Sequence, residues 1–98
     1  MKNKLAINTI HPMDCLKGLK QLKSGSVDVI VTSPPYNIGI EYSHYRDDKT
    51  RPQYLGWMHN LASACKRVLS DEGSFFLNIG GTVSDPWIPI DVANKFRQ

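Results

Sequence analysis

Residues 27–37 read Val-Asp-Val-Ile-Val-Thr-Ser-Pro-Pro-Tyr-Asn, an apolar run that leads into a proline-rich loop. Its first part, 27–32, is nearly continuous in branched apolar residues, which is typical of a parallel strand covered on both faces. Its second part is stiff, because proline fixes its own φ and holds the preceding residue extended. Since Pro34 and Pro35 have no backbone N–H, the loop offers carbonyls, a hydroxyl and an aromatic ring. That combination suits a planar group that carries an amine.

Before this stretch, the sequence predicts a strand and a helix. A short apolar run, Leu5–Thr9, indicates a first strand. Asp14 then stands at an N-cap position, and leucines recur behind it at helical spacing. The run Ser24–Ser26 is expected to end that helix.

After it, the sequence predicts a long loop and three further elements. Thr50 and Gln53 form a capping-box pattern ahead of a helix. That helix is expected to end at 71–73, and a strand follows from Ser74 to Ile79. The expected apolar face of the helix comprises Leu55, Met58, Leu61, Ala62, Cys65, Val68 and Leu69. A last helix, Ile88–Arg97, is expected to bury Ile90, Ala93 and Phe96.

The order β-α-β-α-β-α predicts an α/β protein with a three-stranded, mainly parallel sheet and flanking helices. Ligands of such sheets lie beyond the carboxyl ends of the strands. Three segments are expected to meet at that edge: 33–36, 78–80 and the approach to Asp14.

The loop over 37–50 is polar and contains tyrosines and a charged cluster. A loop of this length is either a functional lid or disordered, and the sequence favours neither. Its basic residues Arg46, Lys49 and Arg51 are candidate contacts for nucleic-acid phosphates, although a solvated surface explains them better.

Composition limits the class of protein. The 98 residues are 41% hydrophobic and 21% charged, which is typical of one ordinary globular domain at most. The net charge of +3 allows a nucleic-acid partner, but the lysines and arginines are scattered rather than clustered. No apolar run approaches the ~20 residues of a membrane span, and no signal peptide is evident. A cytoplasmic protein is expected.

The cysteines and histidines predict neither a disulfide nor a metal site. Cys15 and Cys65 lie far apart and form no Cys-x-x-Cys unit, so two reduced, buried thiols are expected. His11, His44 and His59 show no spacing typical of metal ligands.

Thr32–Asn37, placed after a hydrophobic strand, resembles the catalytic motif of the DNA amino-methyltransferases. Met13–Leu16, Gly25–Asp28 and Leu69–Gly80 follow that family's order and spacing as well, so the resemblance covers most of the chain. It implies a Rossmann-like methyltransferase fold, S-adenosylmethionine as cofactor and DNA as partner. Because a base inside a duplex is out of reach, it also implies a flipped base.

The resemblance assigns roles to individual residues. It implies that the Ser33 side chain and the Pro34 carbonyl accept the hydrogens of the base amine, within a motif that Pro35 and Tyr36 complete. Tyr36 would stack on the base. Asp14 matches an acidic position near the adenine of the cofactor, although it is equally explained as a helix cap.

The first residue of the motif bears on the target base. Serine at this position is usual in the enzymes that methylate cytosine N4, whereas aspartate or asparagine is usual in those that methylate adenine N6. Ser33 therefore favours cytosine N4, with adenine N6 as the alternative. An inactive fragment or a binding module that reuses the half-sheet is a further alternative.

The cofactor half of such an enzyme is not evident in the sequence. The family binds S-adenosylmethionine with a Phe-x-Gly-x-Gly turn, which these residues lack. Residues 1–98 are therefore expected to be a single partial catalytic domain, in the permuted order that places the catalytic motif first. We expect no target-recognition region, little activity from the isolated chain, and self-association through an uncovered sheet.

Overall fold

The computed structural model describes residues 4–41 and 46–97. Its elements in chain order are α1 (Cys15–Lys20), β1 (Val27–Thr32), α2 (Arg51–Val68), β2 (Leu69–Leu77) and α3 (Ile88–Arg97). β1 and β2 pair in parallel as a two-stranded sheet, and α2 lies between them in the chain. The predicted α/β architecture is confirmed at this level.

The predicted first strand over Leu5–Thr9 is wrong. These residues form a bend and a turn, in which Asn8 has a φ of 55°. Ile7 and Ile10 are 84% and 92% exposed, and the Thr9 hydroxyl donates to the Ile7 carbonyl. Within residues 4–41 and 46–97, β1 and β2 pair with each other, and neither supplies ladder hydrogen bonds to the apolar run. The sheet therefore has two strands in the described ranges, where three were expected.

β1 has the predicted bounds, but its expected burial on both faces is wrong. Ile30 pairs with Phe75 on the side of the sheet that packs against the core. On the other side, Val29 is 57% and Val31 is 74% exposed. Phe76 pairs with Val31 and is 58% exposed. We call Val29, Val31 and Phe76 the exposed sheet face.

The predicted helix caps are confirmed. The Asp14 carboxylate accepts from the Lys17 N–H at 3.1 Å, and α1 then ends at Lys20, earlier than the Ser24–Ser26 run suggested. At the start of α2, Thr50 and Gln53 exchange side-chain-to-backbone hydrogen bonds of 3.3 Å in both directions.

α2 runs directly into β2, which corrects the expected helix end at 71–73 and the strand start at Ser74. Leu69 already pairs with Val27, and Ser74 pairs with Val29 after an irregularity in the register. The strand also ends at Leu77 rather than Ile79. Pairing with β1 therefore extends the strand backwards through polar residues that look like a turn in isolation.

The core lies between α2, α3 and one side of the sheet. α2 buries Tyr54, Met58, Leu61, Cys65 and Val68. α3 buries Ile88 and Val92, and half-buried Phe96 contacts Phe75 with ring centroids 5.3 Å apart. The expected buried edge of α3 is therefore wrong at Ile90 and Ala93, which are exposed. The i, i+4 row 88–92–96 faces α2 instead.

Both cysteines are free thiols, as predicted, but only Cys65 is buried, because Cys15 lies on the exposed start of α1. Burial raises the pKa of the Cys65 thiol from 9.0 to about 11, with a smaller contribution from nearby Cys15. Partial burial also raises the pKa of Cys15, and the Asp14 carboxylate adds to this. Among residues 4–41 and 46–97, no helix is both long and apolar enough to cross a membrane.

Candidate active site

The loop that follows β1 is anchored to the core by its second proline. Pro34 is buried and Ser33 is exposed. The Pro35 carbonyl accepts a hydrogen bond of 2.5 Å from the hydroxyl of Tyr54, a fully buried residue of α2. Sequence reasoning missed Tyr54, although its aromatic side chain at the start of the apolar face of α2 was a usable signal. This bond holds the Ser-Pro-Pro-Tyr loop against a rigid helix.

Ser33 lies next to Asn78 at the carboxyl ends of the two strands. The Asn78 N–H donates to the Thr32 carbonyl at 2.9 Å, which continues the parallel ladder beyond β2. Its side-chain Nδ2 then donates to Ser33 Oγ at 3.2 Å. A hydroxyl has two lone pairs and one proton, so Ser33 keeps one lone pair and its O–H for a ligand.

Tyr36 packs against the backbone of Gly80. A Cβ placed on Gly80 would lie 3.2 Å from Cε2 of the Tyr36 ring, which is closer than ordinary van der Waals contact. The glycine after β2 therefore gives the ring room at the carboxyl edge of the sheet. Two of the three segments expected to converge, 33–36 and 78–80, are thus in contact.

Asp14 is not joined to these two segments by any hydrogen bond in the described ranges. It is exposed, and its Oδ2 caps α1 through Lys17. The structure supports its role as a helix cap, and its contact with a cofactor stays a prediction.

Asp47 organises the segment that follows Tyr36. It is 3% exposed, and its carboxylate accepts from the backbone N–H groups of Asn37 at 2.8 Å and of Ile38 and Ile40 at 3.0 Å. The Asp47 carbonyl accepts from the Gly39 N–H at 2.9 Å. The sequence showed Asp47 only as part of a charged cluster, because the convergence of these amides depends on the loop fold.

The Asn37 side chain ties the same segment to the start of α2. Its amide oxygen accepts from the Lys49 N–H and its amide nitrogen donates to the Lys49 carbonyl, both at 2.8 Å. Asn37 has a φ of 62°, in the left-handed region that asparagine tolerates better than most residues. The described parts of the loop, 37–41 and 46–50, are therefore held by specific bonds. Tyr42, His44 and Tyr45 lie outside the described residues.

A cavity of about 310 Å³ lies beside the loop. Its volume is at the lower end of the range for small-ligand sites. The residues that line it are Ser33, Pro34, Tyr36, Ile38 and Ile40. It thus combines a hydroxyl and an aromatic ring with an apolar wall.

The two arginines predicted as phosphate contacts, Arg46 and Arg51, differ in their ion pairs. The guanidinium of Arg51 binds the carboxylates of Asp85 and Asp91, the latter at 2.7 Å. Because two carboxylates hold it, Arg51 is poorly placed to contact a phosphate. Arg46 is 84% exposed, and among the described residues it pairs with Asp48, at 3.0 Å.

Residues 27–97 match the family described as DNA methylase, the N6 and N4 methyltransferases. The match covers both strands, the Ser-Pro-Pro-Tyr loop, α2 and α3. The chain therefore belongs to the family of DNA amino-methyltransferases.

Curated relatives agree with this assignment. The chain is 38% identical over 90 residues to the type II methyltransferase M.BglII of Bacillus subtilis, covering 88% of the chain and 24% of that protein. It is 42% identical over 77 residues to M.XycI of Xanthomonas campestris pv. cyanopsidis, covering 74% and 25%. It is 31% identical over 88 residues to the DNA adenine methyltransferase YhdJ of Escherichia coli K12, covering 90% and 30%. The matched part of the chain thus spans 24–30% of the length of these relatives.

Proposed function

We propose that this chain supplies the base-amine pocket of an enzyme that transfers a methyl group from S-adenosylmethionine to cytosine N4 in DNA. The observation that carries the proposal is the cavity in which Ser33, Pro34 and Tyr36 meet. Ser33 supplies a hydroxyl, Pro34 a carbonyl and Tyr36 an aromatic face.

Two hydrogen-bond acceptors are what a base amine needs in order to react. Its lone pair is delocalised into the ring, and acceptors for both N–H groups favour a pyramidal nitrogen with an available lone pair. Ser33 Oγ keeps one lone pair after its bond from Asn78. Across residues 4–41 and 46–97, the Pro34 carbonyl accepts no hydrogen bond, whereas Tyr54 occupies that of Pro35. In the proposal, Ser33 and Pro34 therefore accept one hydrogen each.

Tyr36 would orient the base by stacking. A base–aromatic stack is worth about 1–3 kcal/mol, and its flat geometry would hold the amine within reach of the two acceptors. The ring face also favours the positive charge that develops on the amine during methylation. A base reaches such a cavity only after it leaves the duplex, so the DNA substrate is bound with a flipped base.

Cytosine is preferred because the first motif residue is Ser33. Adenine N6 is the second candidate, since one relative is named a DNA adenine methyltransferase. The amine and its neighbouring ring nitrogen have similar geometry in the two bases, so both could meet the two acceptors, and the preference for cytosine rests on Ser33.

The methyl donor follows from family membership, and the described residues do not by themselves fit it. Asp14 is the predicted contact, yet it is one exposed carboxylate that already caps a helix. In the proposal, residues 1–98 are the catalytic-motif part of a larger cytoplasmic enzyme, and the donor is held mainly by other parts. The type II names of the relatives suggest a restriction-modification system.

The test is a nuclear magnetic resonance titration of the ¹⁵N-labelled chain with deoxycytidine, deoxyadenosine and thymidine. Deoxycytidine should shift the Tyr36 amide resonance at the lowest concentration, and Ser33→Ala and Tyr36→Ala should weaken this response. Thymidine is the matched control because it lacks an exocyclic amine. An equal response to thymidine would refute an amine pocket, and a stronger response to deoxyadenosine would select adenine N6.

Calorimetry with S-adenosylmethionine and a methyl-transfer assay test whether the methyl donor is held mainly by other parts of the enzyme. In the proposal the isolated chain binds the cofactor weakly or not at all, and it transfers no radiolabelled methyl group to DNA. Methyl transfer by the 98 residues alone would show that they form a complete enzyme.

A further inference from the structure

Asp47 is the buried charged residue of the described ranges, and its environment is specific. Moving a carboxylate out of water is costly unless hydrogen bonds replace its hydration. Here three backbone N–H groups do so, from Asn37, Ile38 and Ile40. These donors belong to the segment that leaves Tyr36, ten to seven residues before Asp47 in the chain.

The backbone of this segment is curled around the carboxylate. Asn37 and Gly39 both have positive φ values, 62° and 85°, with Ile38 between them. Such a curl points successive N–H groups towards one centre and forms an anion-binding concavity. The anion in this case is the chain's own Asp47.

The residues held in this way contribute little to the core. Ile40 is 49% exposed and Ile38 is half-buried, so their burial gives modest stabilisation. Both line the cavity beside Ser33 and Tyr36. Burying a carboxylate is costly, and the core gains little from the segment it orders. This favours a role for the ordered segment in binding at the cavity.

We propose that Asp47 is a positioning residue for the target base: it holds Ile38 and Ile40 as the apolar wall of the cavity that Ser33, Pro34 and Tyr36 complete. This inference rests on the proposed function, because the ligand is the base assigned there. Asp47 acts through the backbone of its neighbours and does not itself touch the base.

Asp47→Asn is the sharpest substitution, because it keeps the shape and removes one acceptor. Oδ1 serves Asn37 and Oδ2 serves both isoleucines. Whichever way the new amide is turned, its NH₂ group faces at least one backbone N–H, and two donors cannot bond. The wall should therefore loosen while the core packing is unchanged.

Asp48→Asn is the matched control. Asp48 is the next residue, it is 58% exposed, and its partner is the exposed Arg46. This variant loses the same charge next to the same loop, and leaves the three amides of the cavity wall bonded to Asp47.

The experiment measures deoxycytidine affinity by resonance shifts, at a temperature where each variant gives the dispersed spectrum of a folded chain. We expect Asp47→Asn to bind deoxycytidine about tenfold more weakly, because the charge-assisted hydrogen bonds that hold the cavity wall are lost. We expect Asp48→Asn to bind deoxycytidine as the wild type does. The amide protons of Ile38 and Ile40 should also move upfield in Asp47→Asn. A purely stabilising role would lower the melting temperature without changing the affinity of the folded variant, and that result overturns the inference.

The wild-type chain provides a test that does not depend on the folding of the variant. Deoxycytidine should shift the amides of Ile38 and Ile40 together with that of Tyr36. If Tyr36 responds and the two isoleucines do not, the wall takes no part in binding and the inference is wrong. If the wild type binds no deoxynucleoside at all, the proposed function fails first, and the positioning role fails with it.

Discussion

At the scale of single residues, the site depends on how closely Tyr36 approaches the end of β2. Gly80 permits this approach, because any Cβ there would press on the ring at 3.2 Å. The φ of Gly80 is not in the left-handed region, so the backbone conformation does not require a glycine here. What Gly80 provides is the space that a Cβ would fill. A glycine at this position leaves room for the ring, and therefore for the proposed stacking surface.

We predict that Gly80→Ala weakens deoxycytidine binding by turning the Tyr36 ring. The loss should be smaller than the about 1–3 kcal/mol of a complete base stack, since the ring is displaced and not removed. Gly56→Ala is the control, because Gly56 lies in α2 with open space around it and should gain helix stability. Resonance titration of both variants checks this. Equal affinity of Gly80→Ala and the wild type would contradict the prediction.

The buried thiol of Cys65 predicts how stability depends on pH. In the unfolded chain the thiol ionises near 9.0, whereas in the folded chain its pKa is about 11. Between these values the folded state keeps a proton that the unfolded state has lost, so the free energy of unfolding falls as pH rises. The stabilisation that comes from the protonated Cys65 thiol is complete below pH 9.0 and is lost as the pH rises to about 11.

Urea denaturation of the wild type and of Cys65→Ala across this range checks the prediction. The variant starts less stable, because it loses packing atoms, but its stability should fall less with pH. Lysines and tyrosines titrate in both proteins, and the difference between the two curves removes their effect. Parallel curves would show that Cys65 does not ionise as expected.

At the scale of elements, α2 is the part on which the site is built. The capping box and Arg51 both lie at its start. Arg51 binds Asp85, in the segment before α3, and Asp91, in α3, and so connects α2 to both. One turn later Tyr54 reaches the Pro35 carbonyl. The position of the Ser-Pro-Pro-Tyr loop therefore depends on the start of α2 being formed.

We predict that Thr50→Ala lowers the free energy of unfolding by about 1 kcal/mol, the usual effect of losing an N-cap side chain. Thr9→Ala is the control, since Thr9 is exposed and its hydroxyl donates to the nearby Ile7 carbonyl, far from any helix cap. Thermal and urea denaturation of the two variants should separate them. Similar stability of the two variants would mean that the capping box contributes little to α2.

At the scale of the whole molecule, the sheet is uncovered on one side. Val29, Val31 and Phe76 are all more than half exposed and lie together on the exposed sheet face. Contiguous apolar surface of this kind, on a sheet whose two strands are both edges, favours association with another chain.

We predict that the chain self-associates as its concentration rises, and that Val31→Lys shifts the equilibrium towards the monomer. A charge at the centre of the face would have to be desolvated in any complex. Ile7→Lys is the control, because Ile7 is a similarly exposed apolar residue outside the sheet. Sedimentation velocity over a concentration series measures the effect. A wild-type chain that stays monomeric throughout would contradict it.

The sequence by itself determined the features that depend on neighbouring residues. These include the loop over Ser33–Tyr36 that follows β1, the caps at Asp14 and Thr50, and the bounds of β1 and α3. Each follows from local stereochemistry or from a hydrogen bond between residues three apart. The motif read from this loop also identified the family.

Only the tertiary structure decided what depends on distant partners. The run over 5–9 is apolar enough for a strand, yet in the part of the chain that the structure describes it pairs with neither strand and forms a bend and a turn. β2 begins at Leu69 because β1 is there to pair with it. Asp47 and Tyr54 hold the candidate site across intervals of 7–10 and 19 residues. No local pattern reveals such contacts, because a side chain's partner is set by where the folded chain brings it.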